Sequence, residues 1–331
     1  MVSISDATAL RLAKAAAAMR AAPVPADRDM AFMARALVLA TLPHRDPGDL
    51  PHWQRKNGRF TLTIRPHVDA AGRARYPYGS IPRLLLFWIV TEAARTKQRR
   101  LELGRSMADF MRQVGLDPAT GGGRRGDAHR LRDQLTRLFR AHISFDEAMP
   151  PPAQGMRWLN MAVADMGEIW WSVPAPHQAA LFGSYVILGE AFFQAITSKP
   201  VPVDRRALRE LRGSPMALDV YAWATYRAYS LLLARKPRQF IPWACLQEQM
   251  GAAYADIGNF RKAFKLALRK VAAVYPALGY RDVTGGLVLL PSLPAVRPQQ
   301  PGKALLVHGE TVPPANRPAA RPRGVIPNSE R

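Results

Sequence analysis

Cysteine is almost absent from this sequence, with Cys245 the only one in 331 residues. A single thiol cannot form a disulfide within the chain, and it cannot supply the cysteine clusters of structural zinc sites. The count therefore excludes a disulfide-stapled fold and a cysteine-rich zinc site. It is typical of a protein in a reducing cytoplasm.

Long apolar segments are also missing. The longest apolar run, residues 84–90, is far too short to cross a bilayer. The first residues, Met1 to Asp6, place no basic region before an apolar core, so they do not predict a secretion signal. We therefore expect a cytoplasmic protein with no membrane partner.

Acidic residues are scarce relative to basic ones. The chain has 25 Asp and Glu against 47 Lys and Arg, which gives a net charge of +22 and a pI of about 11. This excess predicts a polyanionic partner, and nucleic acid is preferred over the second candidate, an anionic membrane surface. The hydrophobic fraction of 48% excludes wholesale disorder, and the length leaves room for about two domains.

The sequence carries no recognisable catalytic set. Its seven histidines are scattered, without the spacing of a metal-binding pair. Asp165 and Glu168 could in principle hold magnesium, although a solvated turn is the commoner role for such a pair. The glycine-rich loop Gly121–Gly126 lacks the Gly-Lys-Ser/Thr ending of an NTP-binding loop. We therefore predict a binding protein without enzyme activity and without a cofactor.

What the sequence does contain is an ordered set of elements between Tyr78 and Ile143. A helix with Pro82 in its first turn is followed by a short strand at 101–103. Ser106–Gly115 has the cap and the terminal glycine of a short second helix, and Asp127–Arg140 is a basic amphipathic helix. This order is typical of a helix-turn-helix unit.

The same order recurs in the second half of the chain. Ser214 and Pro215 open a long helix, Gln239–Ile241 is a short strand, and Pro242–Gly251 is a short helix closed by glycine. Asp256–Tyr275 is a second basic amphipathic helix, and the segment 280–290 has the pattern of a β-hairpin. The repeat predicts two tandem winged-helix domains in an α+β fold.

The domain boundaries follow from the linker-like segments. The first winged-helix domain is expected at 29–199 and the second at 200–290, with Lys199–Pro202 as the linker. The alanine-rich residues 1–28 are expected to form a mobile helical arm or a docking element. The proline-rich basic tail, 291–331, is expected to be disordered.

The second basic helix is the sharpest candidate for contact with DNA. Its outward residues fit a major groove, where Asn259 could pair with adenine and Arg261 with guanine. Phosphate contacts are expected from Lys262, Lys265 and Arg269.

The first basic helix is a weaker candidate, because a winged-helix unit can also use its helices for self-association. Asp133 reduces the positive charge of the outer face of this helix. Its arginines are placed on the side opposite the core or at the edge of that side. The candidate DNA contacts here are Arg124, Arg125, Arg130, Arg132 and Arg137.

Several segments together resemble the plasmid-encoded RepA-type replication initiator family. They are Ala40–Arg45 (ATLPHR), Tyr78–Leu85 (YGSIPRLL), Thr91–Lys97 (TEAARTK), Leu103-Gly104 and Phe110–Arg112. The resemblance extends over about residues 30 to 290 and is specific in the first half, whereas the second half matches in pattern.

This resemblance implies an initiator that binds repeated double-stranded sites (iterons) at its plasmid origin. It also implies that the protein helps to melt an AT-rich region, recruits the host helicase or its loader, and can repress its own promoter. Related initiators carry two winged-helix domains, the first often used for dimerisation, so a monomer–dimer equilibrium is expected.

Two alternatives stay open. A rolling-circle initiator would nick DNA through a tyrosine, and a plain transcriptional repressor would differ only in the location of its sites.

Overall fold

The computed structural model describes residues 5–22, 25–120, 126–149, 155–172, 175–251 and 254–296. The α-helices in these ranges are α1 (Asp6–Ala21), α2 (Arg35–Leu39), α3 (Ser80–Thr96), α4 (Met107–Val114), α5 (Asp127–Phe139), α6 (Glu190–Ser198), α7 (Arg205–Leu211), α8 (Pro215–Leu233), α9 (Trp243–Met250) and α10 (Ile257–Val274). The strands are β1 (Met30–Ala34), β2 (Trp53–Asn57), β3 (Phe60–Arg65), β4 (His67–Val68), β5 (Ala74–Arg75), β6 (Arg100–Gly104), β7 (His142–Ala148), β8 (Met156–Ala162), β9 (Ala164–Glu168), β10 (Ser184–Leu188), β11 (Pro200–Asp204), β12 (Gln239–Pro242), β13 (Tyr280–Val283) and β14 (Gly286–Leu289).

The predicted order of elements in the first half is confirmed. Helix α3 is followed by β6, α4 and α5, and β6 lies in an antiparallel sheet of order β6-β10-β9. The Ser106 hydroxyl accepts a hydrogen bond from the Asp109 amide at the start of α4, and Gly115 ends that helix with a φ of 85°. The apolar faces of the three helices meet in the core, where Trp88 lies edge-on to Phe110.

The second half repeats this arrangement. Helix α8 is followed by β12, α9 and α10, and β12 lies in an antiparallel sheet of order β12-β14-β13. In both halves the strand after the first helix therefore pairs with the later strand of a hairpin. The Ser214 hydroxyl caps α8 by accepting from the Ala217 amide, and Pro215 occupies its first turn.

The first half differs by an inserted hairpin. Strands β7 and β8 come between α5 and β9, and they extend β2 and β3 into an antiparallel sheet of order β2-β3-β7-β8. The side chains of Leu62, Ile64 and Ile143 are buried on the inner face of this sheet. The insertion makes the first half larger than the second.

The segment expected to be a linker is part of the folded body. Pro200–Asp204 forms strand β11, which pairs in antiparallel register with β1, so Met30 lies opposite Asp204. A linker is expected to have few contacts, and the prediction for Lys199–Pro202 is wrong in this respect. Buried residues of both halves belong to one hydrophobic cluster.

The N-terminal segment docks on the second half. Helix α1 buries Leu12, Ala16 and Met19 and contacts α7 and α10. Arg11 forms an ion pair with Glu210 at 3.0 Å. These contacts are those of a docking element, the second of the two expectations for this segment.

The beginning of the expected tail is also folded. The Tyr275 hydroxyl donates to the Leu293 carbonyl, and Val296 is buried. Residues 297–331, where a disordered tail was predicted, lie outside the described residues. Within the described ranges, no helix combines the length and the apolar character needed to span a membrane.

Candidate nucleic-acid interface

Helix α10 separates an apolar face from a polar one. Its buried residues are Phe260, Phe264, Ala267, Leu268, Val271 and Val274. The Asp256 carboxylate caps the helix by accepting from the Asn259 amide at 2.7 Å. The amides of Asn259 and Gly258 lower the pKa of Asp256, so the cap stays ionised at neutral pH.

The polar face carries the predicted contacts. Asn259, Arg261, Lys262 and Arg269 are exposed, and Lys265 is half-buried. The structure therefore brings all five predicted residues of this helix to its solvent side. A helix with such a face can meet phosphates through its cations and base edges through Asn259 and Arg261.

A buried tryptophan lies beneath part of this face. Trp243 begins α9, and its ring centroid is 5.6 Å from the guanidinium carbon of Arg261 and 5.4 Å from Nζ of Lys265. The same ring contacts Phe264 edge-on at 5.7 Å, and the backbone amide of Trp243 donates to the Gly285 carbonyl. Trp243 therefore joins α10 to the turn of the β13–β14 hairpin.

An ion pair connects the hairpin to α10. Lys265 forms an ion pair with Asp282 of β13, and Arg281 of the same strand is exposed. Gly286 begins β14, where a Cβ atom would approach the Ile241 carbonyl oxygen to 2.3 Å. Glycine thus permits the close pairing of β12 and β14 at the end where the hairpin turns.

The first basic helix has a different distribution of charge. Arg130 of α5 is exposed and pairs with Asp127, whereas Arg132 is half-buried and donates to the Trp171 carbonyl. Arg124 and Arg125 lie outside the described residues.

The placement of Arg137 on the outer side of α5 is wrong. Its side chain is 6% exposed and forms ion pairs with Asp133 at 2.8 Å and Asp46 at 3.2 Å. Its guanidinium also donates to the Tyr76 carbonyl and lies 5.2 Å from the Tyr78 ring centroid. The segment before α3 covers this side of the helix, so Arg137 has a structural role in the described chain.

A second buried arginine connects the two halves. Arg83 of α3 donates to both carboxylate oxygens of Asp219 in α8, at 2.8 and 2.7 Å. It also donates to the carbonyls of Leu42, Pro43 and Gly79. The segments ATLPHR and YGSIPRLL, which carry the family resemblance, therefore meet at this guanidinium.

His44 completes the buried network. Its Nε2 lies 2.7 Å from Oδ2 of Asp219 and donates to the ionised carboxylate. Burial by itself would raise the pKa of Asp219, but the Arg83 guanidinium and the His44 hydrogen bond outweigh burial and lower that pKa to about 2. Burial, followed by the charge of Arg83, lowers the pKa of His44, so its ring is neutral at pH 7.

The two acidic residues considered for magnesium, Asp165 and Glu168, bind other side chains instead. Asp165 pairs with Arg99, and Glu168 accepts from the Tyr185 hydroxyl and the Trp170 indole. Over the part of the chain that the structure describes, no group of three or more His, Cys, Asp or Glu is placed to hold a metal ion.

Two residues that contact the cations of α10, Trp243 and Asp282, were not predicted from the sequence. Arg281 is an exposed cation on the neighbouring hairpin and was not predicted either. No local signal places Trp243 beneath α10, because the two elements meet only in the tertiary fold.

Comparison with known proteins gives one family and two solved structures. The family described as "Plasmid encoded RepA protein" matches residues 76–244, slightly more than half of the chain. A crystal structure of RctB domains 2 and 3 superposes with a TM-score of 0.43 at 10% identity, covering 77% of this chain and 96% of that one. A second crystal structure, of selenomethionine derivatives of RctB domains 2 and 3, superposes with a TM-score of 0.43 at 9% identity. It covers 76% of this chain and 94% of that one.

No curated protein sequence matches the chain. The family match covers α3 to the start of α9, and it includes Arg83 and Asp219 of the buried network. The chain thus belongs to the family of plasmid-encoded RepA proteins, which confirms the resemblance found in its sequence.

Proposed function

We propose that this protein initiates plasmid replication by binding repeated double-stranded sites at its origin through α10 and the β13–β14 hairpin. The observation that carries the proposal is the polar face of α10, with Asn259 and exposed cations next to a hairpin that contributes Arg281. The family and the net charge of +22 support it.

In this proposal the second half acts as a winged-helix domain. The sheet order β12-β14-β13 together with the helices α8, α9 and α10 supports this proposal. Here α10 enters the major groove as the recognition helix, and the hairpin contacts the DNA backbone as a wing. Asn259 pairs with adenine and Arg261 with guanine, while Lys262, Lys265 and Arg269 contact phosphates.

The first half is proposed as a second winged-helix domain with a different task. The sheet order β6-β10-β9 repeats that of the second half, which supports the tandem arrangement. Because Arg137 is buried, the exposed Arg130 is the best-placed described cation of α5 for a phosphate contact. This half supports self-association in a monomer–dimer equilibrium.

The remaining steps follow from initiation. The bound protein opens an AT-rich region in the cytoplasm, recruits the host helicase or its loader, and represses its own promoter where sites overlap it. It acts by binding and cleaves no DNA strand.

Footprinting across the origin of the cognate plasmid tests the proposal. We expect protected repeats of one sequence, and a supercoiled origin plasmid incubated with protein and magnesium should stay unnicked in a denaturing gel. Equal, weak protection of any DNA would contradict the proposal. A covalent protein–DNA product would assign the chain to the rolling-circle initiators. If the plasmid still replicates after the protein is deleted, the protein is a transcriptional repressor and not the initiator.

A further inference from the structure

A residue that is too buried to reach DNA lies beneath the polar face of α10. Trp243 is 3% exposed, yet its ring lies within 6 Å of two of the predicted contacts, Arg261 and Lys265. These two cations are four residues apart, so they project from neighbouring turns of one helix face. A single ring can therefore hold both side chains.

We propose that Trp243 is a positioning residue for DNA recognition, which holds Arg261 and Lys265 in the orientation that meets base edges and phosphates. This inference rests on the proposed function. The indole face attracts cations more strongly than other aromatic rings do, and it does so at the distances found here. Arginine and lysine otherwise lose considerable rotamer freedom when they bind, and a pre-oriented side chain loses less.

The other contacts of Trp243 keep the ring in place. Phe264 packs against it edge-on, and the Trp243 amide donates to the Gly285 carbonyl at the hairpin turn. Asp282 holds Lys265 from the hairpin side. The ring and the carboxylate thus fix Lys265 from two directions, whereas Lys262 has neither contact among the described residues.

The first test needs no DNA. Reductive methylation with carbon-13 formaldehyde labels each lysine and keeps its positive charge. Because the indole ring current shields groups above its face, the methyl signal of Lys265 should lie upfield of that of Lys262, each assigned by loss of its signal in Lys265→Arg or Lys262→Arg. Coincident signals at the position of a free lysine would overturn the proposed contact.

The second test is a double-mutant cycle on DNA binding by the full chain. The probes are a duplex carrying one footprinted repeat and a scrambled duplex of equal length. Trp243→Leu should weaken binding to the repeat by about fivefold to thirtyfold, which corresponds to two cation–π contacts. In a chain that also carries Arg261→Ala and Lys265→Ala, the same change should cost nothing further.

Two variants separate positioning from folding. Trp223→Leu alters another tryptophan whose ring contacts Phe264, at 6.2 Å, and it should lower the melting temperature without changing the affinity of the folded protein. If Trp243→Leu fails to fold, Trp243→Phe replaces it, because phenylalanine keeps an aromatic ring that attracts cations less strongly than indole. This variant should bind the repeat about twofold to threefold more weakly, again only when both cations are present.

The outcomes distinguish a failure of the proposed function from a failure of the positioning role of Trp243. A wild-type protein that binds both duplexes equally would refute the proposed function, and the lysine signals would still report on the contact. A wild-type protein that prefers the repeat, with the same loss from Trp243→Leu in both backgrounds, would refute the positioning role and leave the proposed function standing.

Discussion

Arg83 and Asp219 are 136 residues apart in sequence and form a buried bidentate ion pair. Arg83 lies in α3 of the first half and Asp219 in α8 of the second half. Their side chains are 2% and 8% exposed. The guanidinium also binds three carbonyl groups, so its donors are directed at fixed partners. This contact couples the two halves and explains why the family segments around Pro43 and Arg83 lie together.

Asp219→Asn should destabilise the protein strongly. The change leaves the Arg83 charge buried without its carboxylate, and such a loss costs about 3–5 kcal/mol. Urea unfolding followed by circular dichroism measures the difference. The matched control is Asp165→Asn, which breaks an exposed pair with Arg99 and should cost less than about 1 kcal/mol. Equal effects of the two changes would argue against the buried network.

Stability should fall as the pH is lowered, in two windows. His44 has a lowered pKa in the folded chain, so protonation favours the unfolded chain and stability declines as the pH drops below 6.5. Asp219 has a pKa of about 2 in the fold, so its contribution is complete above 3.8 and is lost as the pH falls towards 2. Urea midpoints at a series of pH values test this.

His44→Gln isolates the first of these windows. Glutamine can still donate to Asp219, but it does not titrate, so the decline of stability as the pH falls below 6.5 should be shallower than in the wild type. His52→Gln, at an exposed position, is the control. If the slopes of wild type and His44→Gln coincide, His44 is not held neutral by the fold.

Arg261→Ala or Asn259→Ala should relax base preference at one position of the repeat, at a cost of about 1–3 kcal/mol for the preferred base. Lys262→Ala should instead weaken binding to all sequences alike and reduce the salt slope by about one unit. Affinities at several salt concentrations, measured with single-base variants of the repeat, separate the two classes. Identical behaviour of both classes would refute the assignment of roles.

Arg137→Ala and Arg130→Ala should differ in kind. Arg137 is buried, so its removal opens a cavity beside the Tyr78 ring and deletes the hydrogen bond to the Tyr76 carbonyl, which should cost about 2–4 kcal/mol of stability. Arg130 is exposed, and its loss should change stability by less than about 1 kcal/mol. Thermal unfolding compares them, and a stable Arg137→Ala protein with reduced DNA affinity would restore the original assignment of Arg137.

Docking of α1 can be tested with two leucines of the same helix. Leu12 is 2% exposed and Leu10 is 58% exposed. Leu12→Ala should cost about 2–4 kcal/mol, because it opens a cavity against the body, and Leu10→Ala should cost little. If the two variants unfold at the same urea concentration, the helix does not contribute to the stability of the folded chain.

The local elements of the fold were predictable from short stretches of the sequence. Ser106, Asp256 and Gly115 mark helix ends through hydrogen bonds to near neighbours or a positive φ, and such signals are readable from short segments. The helical periodicity of α10 placed Phe260 inside and its cations outside for the same reason. The positive charge and the family segments likewise required no knowledge of the fold.

The contacts between distant polar residues were not predictable from local sequence patterns. Periodicity placed Arg137 outside because it cannot reveal that Asp46, from a distant segment, covers that side of α5. The pairing of Arg83 with Asp219, the β1–β11 ladder across the expected linker, and the position of Trp243 beneath Arg261 all join distant segments. Such contacts form when the whole chain closes around a shared core, so no local pattern in the sequence specifies them.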